Sequence, residues 1–218
     1  MDDRAAGQVV AGMPGTEPVP GPLEVTIREL RTQAEYQSCI ALQYATWGEA
    51  YREAVPVSVL KVTQKVGGIA AGAFSASGRM VGFVYGLTGY EGGEGVHWSH
   101  MLAVSPSDRD RGVGRRLKEY QLERLRAAGV RRVRWSFDPL LARNAHLNVN
   151  RLGARLVDYI VDMYPDTGSD LHAFGTDRFV AEWRPEDKGD ASAAGAARGT
   201  QDDVAGRGDA LSGATESL

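Results

Sequence analysis

The sequence predicts an α/β fold, a mixed central sheet of about seven strands with four helices. Three observations predict it. Segments of period-two alternation are interleaved with segments of helical period. Three strand segments run in immediate succession, as an antiparallel meander does. The later strands are separated by helical crossovers, which parallel pairing requires.

The elements follow in chain order. Leu23, Val25 and Ile27 alternate with polar residues, as a half-buried strand does. Helical segments follow over 33–47 and 57–66, the second stopped by Gly67-Gly68. Residues 69–76 and 80–90 read as strands joined by Ser77-Gly78-Arg79, and Gly92-Gly93 turns the chain into a strand over 96–104. After Ser105-Pro106-Ser107-Asp108 comes a helix over 112–128 with a stripe of Val113, Leu117, Tyr120, Ala127 and Ala128, stopped by Gly129. Val133, Trp135 and Phe137 alternate with Arg132, Arg134 and Ser136, a strand with one buried face. A short helix over 142–152 and strands over 154–164 and 177–183 complete the order β-α-α-β-β-β-α-β-α-β-β.

Residues 23–184 carry all of this and form the expected domain. The first 22 residues are rich in Gly, Pro and small side chains, and 185–218 hold almost no large apolar residue, so both are expected to stay disordered. The chain has 218 residues, 43% of them hydrophobic, and a net charge of −3, which excludes a global basic field for nucleic acid or membrane. No apolar run reaches the ~20 residues of a membrane span. The single Cys39 can form neither an internal disulfide nor a multi-thiolate metal site, so a reducing, cytoplasmic setting is expected.

The chemistry concentrates in Leu102-Ala103-Val104, the turn, and Arg109-Asp110-Arg111-Gly112-Val113-Gly114-Arg115. A strand ends, a turn follows, and two glycines open a helix. Glycine lets backbone approach a ligand closely, and a helix start offers unpaired N–H groups and a positive dipole end. Arg109, Arg111 and Arg115 add charge-assisted donors, so a diphosphate suits the site. The P-loop pattern is absent, and Gly112-Val113-Gly114-Arg115-Arg116-Leu117 lacks the third glycine of a dinucleotide fingerprint.

Arg-x-x-Gly-x-Gly preceded by Leu-Ala-Val and a proline turn resembles the coenzyme A motif of the Gcn5-related acetyltransferase (GNAT) superfamily, and the element order is similar to that fold. The resemblance implies that residues 109–114 wrap the diphosphate of coenzyme A and that the 102–104 backbone pairs with the pantetheine arm. It further implies Asn144 near the pantetheine and acyl end. Asp110 stands where the family usually has Gly, and its side chain is expected to face solvent.

Many relatives place Glu on the fourth strand and Tyr in the helix before a Leu-Gly-aromatic turn. Here Leu152-Gly153-Ala154 puts Val149 at the tyrosine position, and the strand offers His97, Ser99 and His100 with no carboxylate after Glu94. His100 is the candidate base, its reference pKa of ~6.5 suiting the task. Tyr164 is the candidate proton donor. The polar loop before Asp177 lies where an acceptor should enter, so Arg143, Asn150, Asp170, His172 and Arg178 are the expected acceptor or acyl contacts. The even spacing of Asp162, Asp166 and Asp170 fits turns better than metal ligation, and no metal is expected.

Ser99–Val104, Asp162–Tyr164, Gly168–His172 and Gly175–Arg178 resemble one branch of the superfamily, usually labelled only as predicted acetyltransferases, some members of which are linked with succinyl transfer from succinyl-CoA to amino acids. That implies succinyl-CoA or acetyl-CoA as donor and a small amino-acid-like amine as acceptor. Acylation of a protein amine, a non-catalytic acyl-CoA-binding regulator and a homodimer are left open beside it.

Overall fold

The computed structural model describes residues 21–165, 167–172 and 175–184, so the expected tails lie outside the described residues apart from residues 21 and 22. One seven-stranded mixed sheet runs in the order β1-β2-β3-β4-β5-β7-β6. Its strands are β1 (Thr26–Glu29), β2 (Ile69–Phe74), β3 (Met80–Glu91), β4 (Glu94–Val104), β5 (Arg132–Phe137), β6 (Arg155–Ile160) and β7 (Arg178–Trp183). The helices are α1 (Gln33–Trp47), α2 (Val57–Lys65), α3 (Val113–Ala127) and α4 (Ala142–Ala145), and α4 runs on into a π-helical turn, His146–Arg151.

Two apolar cores lie on the two faces of the sheet. One gathers Val113, Leu117, Leu122 and Leu125 of α3 with Val133, Trp135, Phe137, Leu152 and Trp183. The other gathers Tyr36, Cys39, Leu42 and Leu60 of α1 and α2 with Phe83, Tyr85, Met101 and Ala103. Leu60 and Leu117 are wholly buried, each such side chain contributing about 1.5–3 kcal/mol. At the start of α1 a capping box closes the helix: Glu35 N–H donates to Thr32 Oγ1 at 3.3 Å and Thr32 N–H donates to Glu35 Oε2 at 3.2 Å.

β4 is where the fold becomes a site. It pairs with β3 antiparallel, but Tyr85 faces Met101 and Gly86 faces Ser99, so His100 is an extra residue, a β-bulge. The bulge breaks the simple alternation expected over 96–104. His97 and Ser99 face α3, whereas Met101 and Ala103 belong to the opposite core. Gly86 makes this possible, because a Cβ there would stand 2.3 Å from His97 Nε2 and 2.5 Å from the Trp98 carbonyl oxygen.

On its other side β4 pairs parallel with β5, and only over Val96–Trp98 against Arg132–Arg134. Beyond Trp98 the two strands part. From Ser99 onward the β5-facing edge of β4 has no strand partner among the described residues, and a wedge opens between the strands.

Two expected bounds are corrected. The helix expected over 142–152 is four α-helical residues followed by a π turn, closed by Leu152 N–H on Leu147 O at 3.0 Å. The strand expected over 154–164 stops at Ile160, because Asp162 takes φ 49 and turns the chain. Tyr164 is therefore not a strand residue.

Candidate active site

The wedge between β4 and β5 opens into a cleft of about 470 Å³, within the range of small-molecule sites. Its walls come from α1 (Thr46, Trp47), from Tyr51, from β4 (Ser99, His100, Met101, Leu102), from α3 (Lys118), from β5 (Trp135, Ser136, Phe137), from α4 and its π turn (Asn144, Leu147, Asn148), and from the 164–178 segment (Tyr164, Leu171, His172, Arg178).

Beside Leu102, at the β4 edge of the cleft, stands the start of α3, where a Cβ on Gly114 would meet that leucine at 3.5 Å. Its N-cap Gly112 sits at φ 79, ψ 0 and no side chain caps the helix. The contrast with α1 is direct: that helix start is closed, and this one leaves its first N–H groups open to an anion. Asp110 takes φ 64 with its side chain exposed. That explains why glycine suits this position, and why aspartate, which tolerates the left-handed region, can replace it. A Cβ on Gly114 would meet Leu102 at 3.5 Å and Val104 at 3.6 Å, ordinary contact, so packing does not demand this glycine.

Arg109 and Arg115 are exposed; Arg109 Nε donates to Val104 O at 3.2 Å, Arg111 Nε donates to Gly21 O at 3.2 Å, and Arg115 lies 3.9 Å from Glu119. Val113 faces the core instead, so only its backbone N–H is available to a ligand. Leu102 through Val104 lie on the unpaired edge of β4, where an amide-bearing chain can add as a strand does. The residues present thus fit a diphosphate joined to an extended diamide arm.

His100 faces the α1 side of the cleft. It packs edge-on to Tyr85, with ring centroids 6.0 Å apart, and makes no hydrogen bond to another described side chain. Burial holds its pKa below the usual histidine value, while the Glu53 carboxylate pulls the other way. A neutral imidazole with a free lone pair results.

Across the cleft Tyr164 OH lies 2.8 Å from Ser136 Oγ, and its ring stacks on His172 at 5.7 Å. His172 Nδ1 is 2.7 Å from Thr167 Oγ1, and burial and then the Arg178 charge lower its pKa. Arg178 is 6% exposed, lies over the Tyr164 ring at 5.4 Å and donates from Nη1 to Asp177 O at 2.7 Å. Its remaining fork of donors borders the cleft.

Several expectations are placed differently. Asn144 lines the cleft, but Asn150 does not. It is exposed and pairs with His146 Nδ1 at 3.0 Å, because the π turn directs Asn148 inward in its place. The side chains of Arg143 and Asp170 lie outside the described residues, as does Asp166 entirely. Among the described residues no three metal-ligating side chains converge. Asp162 instead donates its N–H to Asp177 Oδ1 at 3.0 Å, a turn role.

The sequence reading missed a buried polar chain at the closed end of the wedge. Lys118 Nζ donates to Ser99 Oγ at 2.7 Å, and Ser99 Oγ donates to Gln121 Oε1 at 2.8 Å. Gln121 Nε2 then lies 3.0 Å from His97 Nε2, and His97 Nδ1 lies 2.9 Å from Thr88 Oγ1. Thr88 spends its proton on Gly67 O at 2.9 Å, so Nδ1 carries the histidine's proton and Nε2 accepts. Trp135 Nε1 donates to Asn148 Oδ1 at 3.0 Å. A lysine and a glutamine on the inward face of an amphipathic helix, beside Leu117 and Leu122, are the available sign.

Comparisons with known proteins agree with this fold. No curated protein sequence matches the chain. Among solved structures, the NatC complex bound to Gag peptide and coenzyme A aligns at TM-score 0.60 and 14% identity, over 74% of this chain and 99% of that one. The ribosomal-protein-S18-alanine N-acetyltransferase of Escherichia coli aligns at TM-score 0.52 and 19% identity, over 74% and 94%. An aminoglycoside 6'-N-acetyltransferase complexed with coenzyme A aligns at TM-score 0.54 and 16% identity, over 73% and 96%. No described helix is long and apolar enough to cross a membrane. Residues 36–153, more than half of the chain, match the Acetyltransferase (GNAT) family, and the chain belongs to that family of acyl-CoA-dependent N-acetyltransferases.

Proposed function

We propose that the protein moves a succinyl or acetyl group from coenzyme A to the amine of a small amino-acid-like acceptor, by direct attack. One observation carries this reading. The free edge of β4 at Leu102, the unbonded His100 and Arg178 border one cleft, and the open start of α3 packs beside that edge, a Cβ on Gly114 meeting Leu102 at 3.5 Å, so donor and acceptor groups can meet there.

Backbone of Leu102–Val104 and the N–H groups at Gly112–Gly114 hold the donor. A neutral amine enters from the α1 side and its nitrogen attacks the thioester carbonyl carbon. A β4 backbone N–H stabilises the oxyanion as a preorganised donor. The proton lost by the amine goes to His100, directly or through one water. The C–S bond then breaks, the electron pair leaves on sulfur, and the thiolate, with a reference pKa of ~8.5, needs only a mild acid such as Tyr164. Amide and free thiol result.

An α-amino group, with a reference pKa of ~7.7–8.0, costs only about 1 kcal/mol to deprotonate at pH 7, which suits a neutral histidine in place of a carboxylate. The wall formed by Tyr164, Leu171, His172 and Arg178 supports a small acceptor over an extended peptide, and Arg178 offers bidentate recognition of its carboxylate.

The test is thiol release from acetyl-CoA and from succinyl-CoA with a mixture of amino acids and amines, followed by mass analysis. An N-acyl amino acid is the expected product. Thiol release only with peptide acceptors, or none with any amine, would sink the reading.

A further inference from the structure

Lys118 has no place in the mechanism above, yet it is the most costly side chain in the cleft wall. It leaves α3 on the inward face and is 4% exposed. Its ammonium lies 3.9 Å over the Trp135 ring and donates to Ser99 Oγ. No described carboxylate comes within ion-pair distance of it. Burial alone pushes its pKa well below the usual lysine value, with no anion pulling it back. A buried lysine with no carboxylate beside it is unfavourable relative to an apolar side chain of the same length. Packing would be served better by methionine.

The bonds around it leave Lys118 and Asn148 as donors toward the cleft. Ser99 has committed its proton to Gln121, so its oxygen is fixed toward Lys118. The indole is a donor only, so Asn148 must turn Oδ1 to Trp135, which leaves its amide N–H groups to donate. Lys118 and Asn148 therefore flank one ring and line one cavity, both as donors. They stand immediately past Trp98 and Arg134, the last paired residues of β4 and β5, where the wedge closes. They also lie on the α3 face of the sheet, the face of the open helix start, whereas His100 looks to the α1 face.

From this we infer that Lys118, with Asn148, is the anchor for a carboxylate at the far end of the acyl chain, so that the donor is a short dicarboxylic acyl-CoA rather than an acetyl-CoA. Acetyl would leave the amine without a counter-ion. The inference rests on the acyltransferase reading and narrows its donor.

Binding by calorimetry with coenzyme A, succinyl-CoA and butyryl-CoA tests it, since the last two differ by carboxylate against methyl on a four-carbon chain. Wild type should bind succinyl-CoA at least tenfold more tightly than butyryl-CoA. Lys118→Met should abolish that preference while leaving free coenzyme A within about twofold. Equal affinities in wild type overturn the inference whether or not the variant folds. A preference that survives in Lys118→Met also overturns it, as does an equal loss for all three ligands, which would make the lysine structural. If Lys118→Met instead raises KM only for acceptors bearing a carboxylate, the anion belongs to the acceptor and the donor assignment falls. Failure of wild type to bind coenzyme A itself overturns the acyltransferase reading and this inference together, and is distinct from each outcome above.

Discussion

His97 and His100 stand on the same strand, the first before the bulge and wholly buried, the second at the bulge and half-buried, and their surroundings differ. His97 lies before the bulge and faces α3; both its ring nitrogens are spent, on Thr88 and Gln121. His100 is the bulged residue and faces the cleft, with an aromatic edge beside it and no bonded nitrogen among the described side chains. Burial lowers the pKa of both, that of His97 to about 3. Desolvation alone therefore does not separate a structural histidine from a reactive one. What separates them is whether the lone pair has already been used. Strand alternation alone sends His97 and His100 to opposite faces, and the bulge then keeps Met101 and Ala103 on the His100 face with Tyr85.

The largest test of this contrast is His100→Ala. Loss of the base should lower kcat/KM by roughly 10²–10³-fold, about 3–4 kcal/mol of transition-state stabilisation, with the melting temperature nearly unchanged. Wild-type kcat should rise with pH and level off below the usual histidine value of 6.5, because burial lowers this group. In the variant that limb should vanish and leave only the titration of the acceptor amine. Unchanged kcat/KM would return His100 to the role of a packing residue.

His97→Leu should do the reverse. Leaving the buried Gln121 amide N–H without its acceptor costs about 1–3 kcal/mol of stability. Turnover at saturating substrate should stay within about threefold, because His97 touches no part of the cleft. Urea midpoints and kcat measured on the same preparation separate the two. A variant that stays as stable as wild type but loses turnover would exchange the roles of the two histidines.

Acid sharpens the same comparison with a smaller effect. The folded pKa of His97 is about 3 and its ordinary value 6.5. Above 6.5 both states are neutral and the contribution to stability is complete. As pH falls the unfolded chain takes the proton first, so stability is lost progressively until the folded pKa is passed. Between pH 6.5 and 5 this amounts to about 2 kcal/mol. Glu35, held to about 2 chiefly by the Arg28 guanidinium, starts from 4.5 and its loss falls below that window. The urea midpoint of wild type should therefore drop from pH 7 to pH 5 by more than that of His97→Leu. Equal drops would mean that His97 is not the group that titrates.

How far the sequence reveals this division depends on the kind of interaction involved. Local chemistry is legible: α1 runs over the predicted 33–47, the proline turn with Gly112 and Gly114 marks the start of α3, and the alternation of Val133, Trp135 and Phe137 is the buried face of β5. Long-range register is not. That His100 is an extra residue follows from β3 shifting by one at Gly86, which nothing in Trp98-Ser99-His100-Met101 states. The π turn that turns Asn148 in and Asn150 out is likewise invisible to a 3.6-residue period. Lys118 and Gln121 lie on the buried face of α3 with Leu117, Leu122 and Leu125, off the stripe that apolar spacing predicts, whose Ala127 and Ala128 are exposed.

Gly114→Ala carries the smallest expected effect and places the histidine contrast within the donor site. The added methyl meets Leu102 and Val104 at 3.5 and 3.6 Å, and Gly114 has no positive φ, so the helix gains a better helix former without a clash. Stability should hold or rise by a few tenths of a kcal/mol, about the exposed-helix scale for this exchange. A diphosphate seated on the α3 start would meet that methyl, and affinity for coenzyme A should fall roughly tenfold, or about 1.4 kcal/mol. Folding and donor binding would then move in opposite directions. A structural glycine cannot do that. Unchanged affinity would remove the diphosphate from this helix start, leaving His100 a base with no donor beside it.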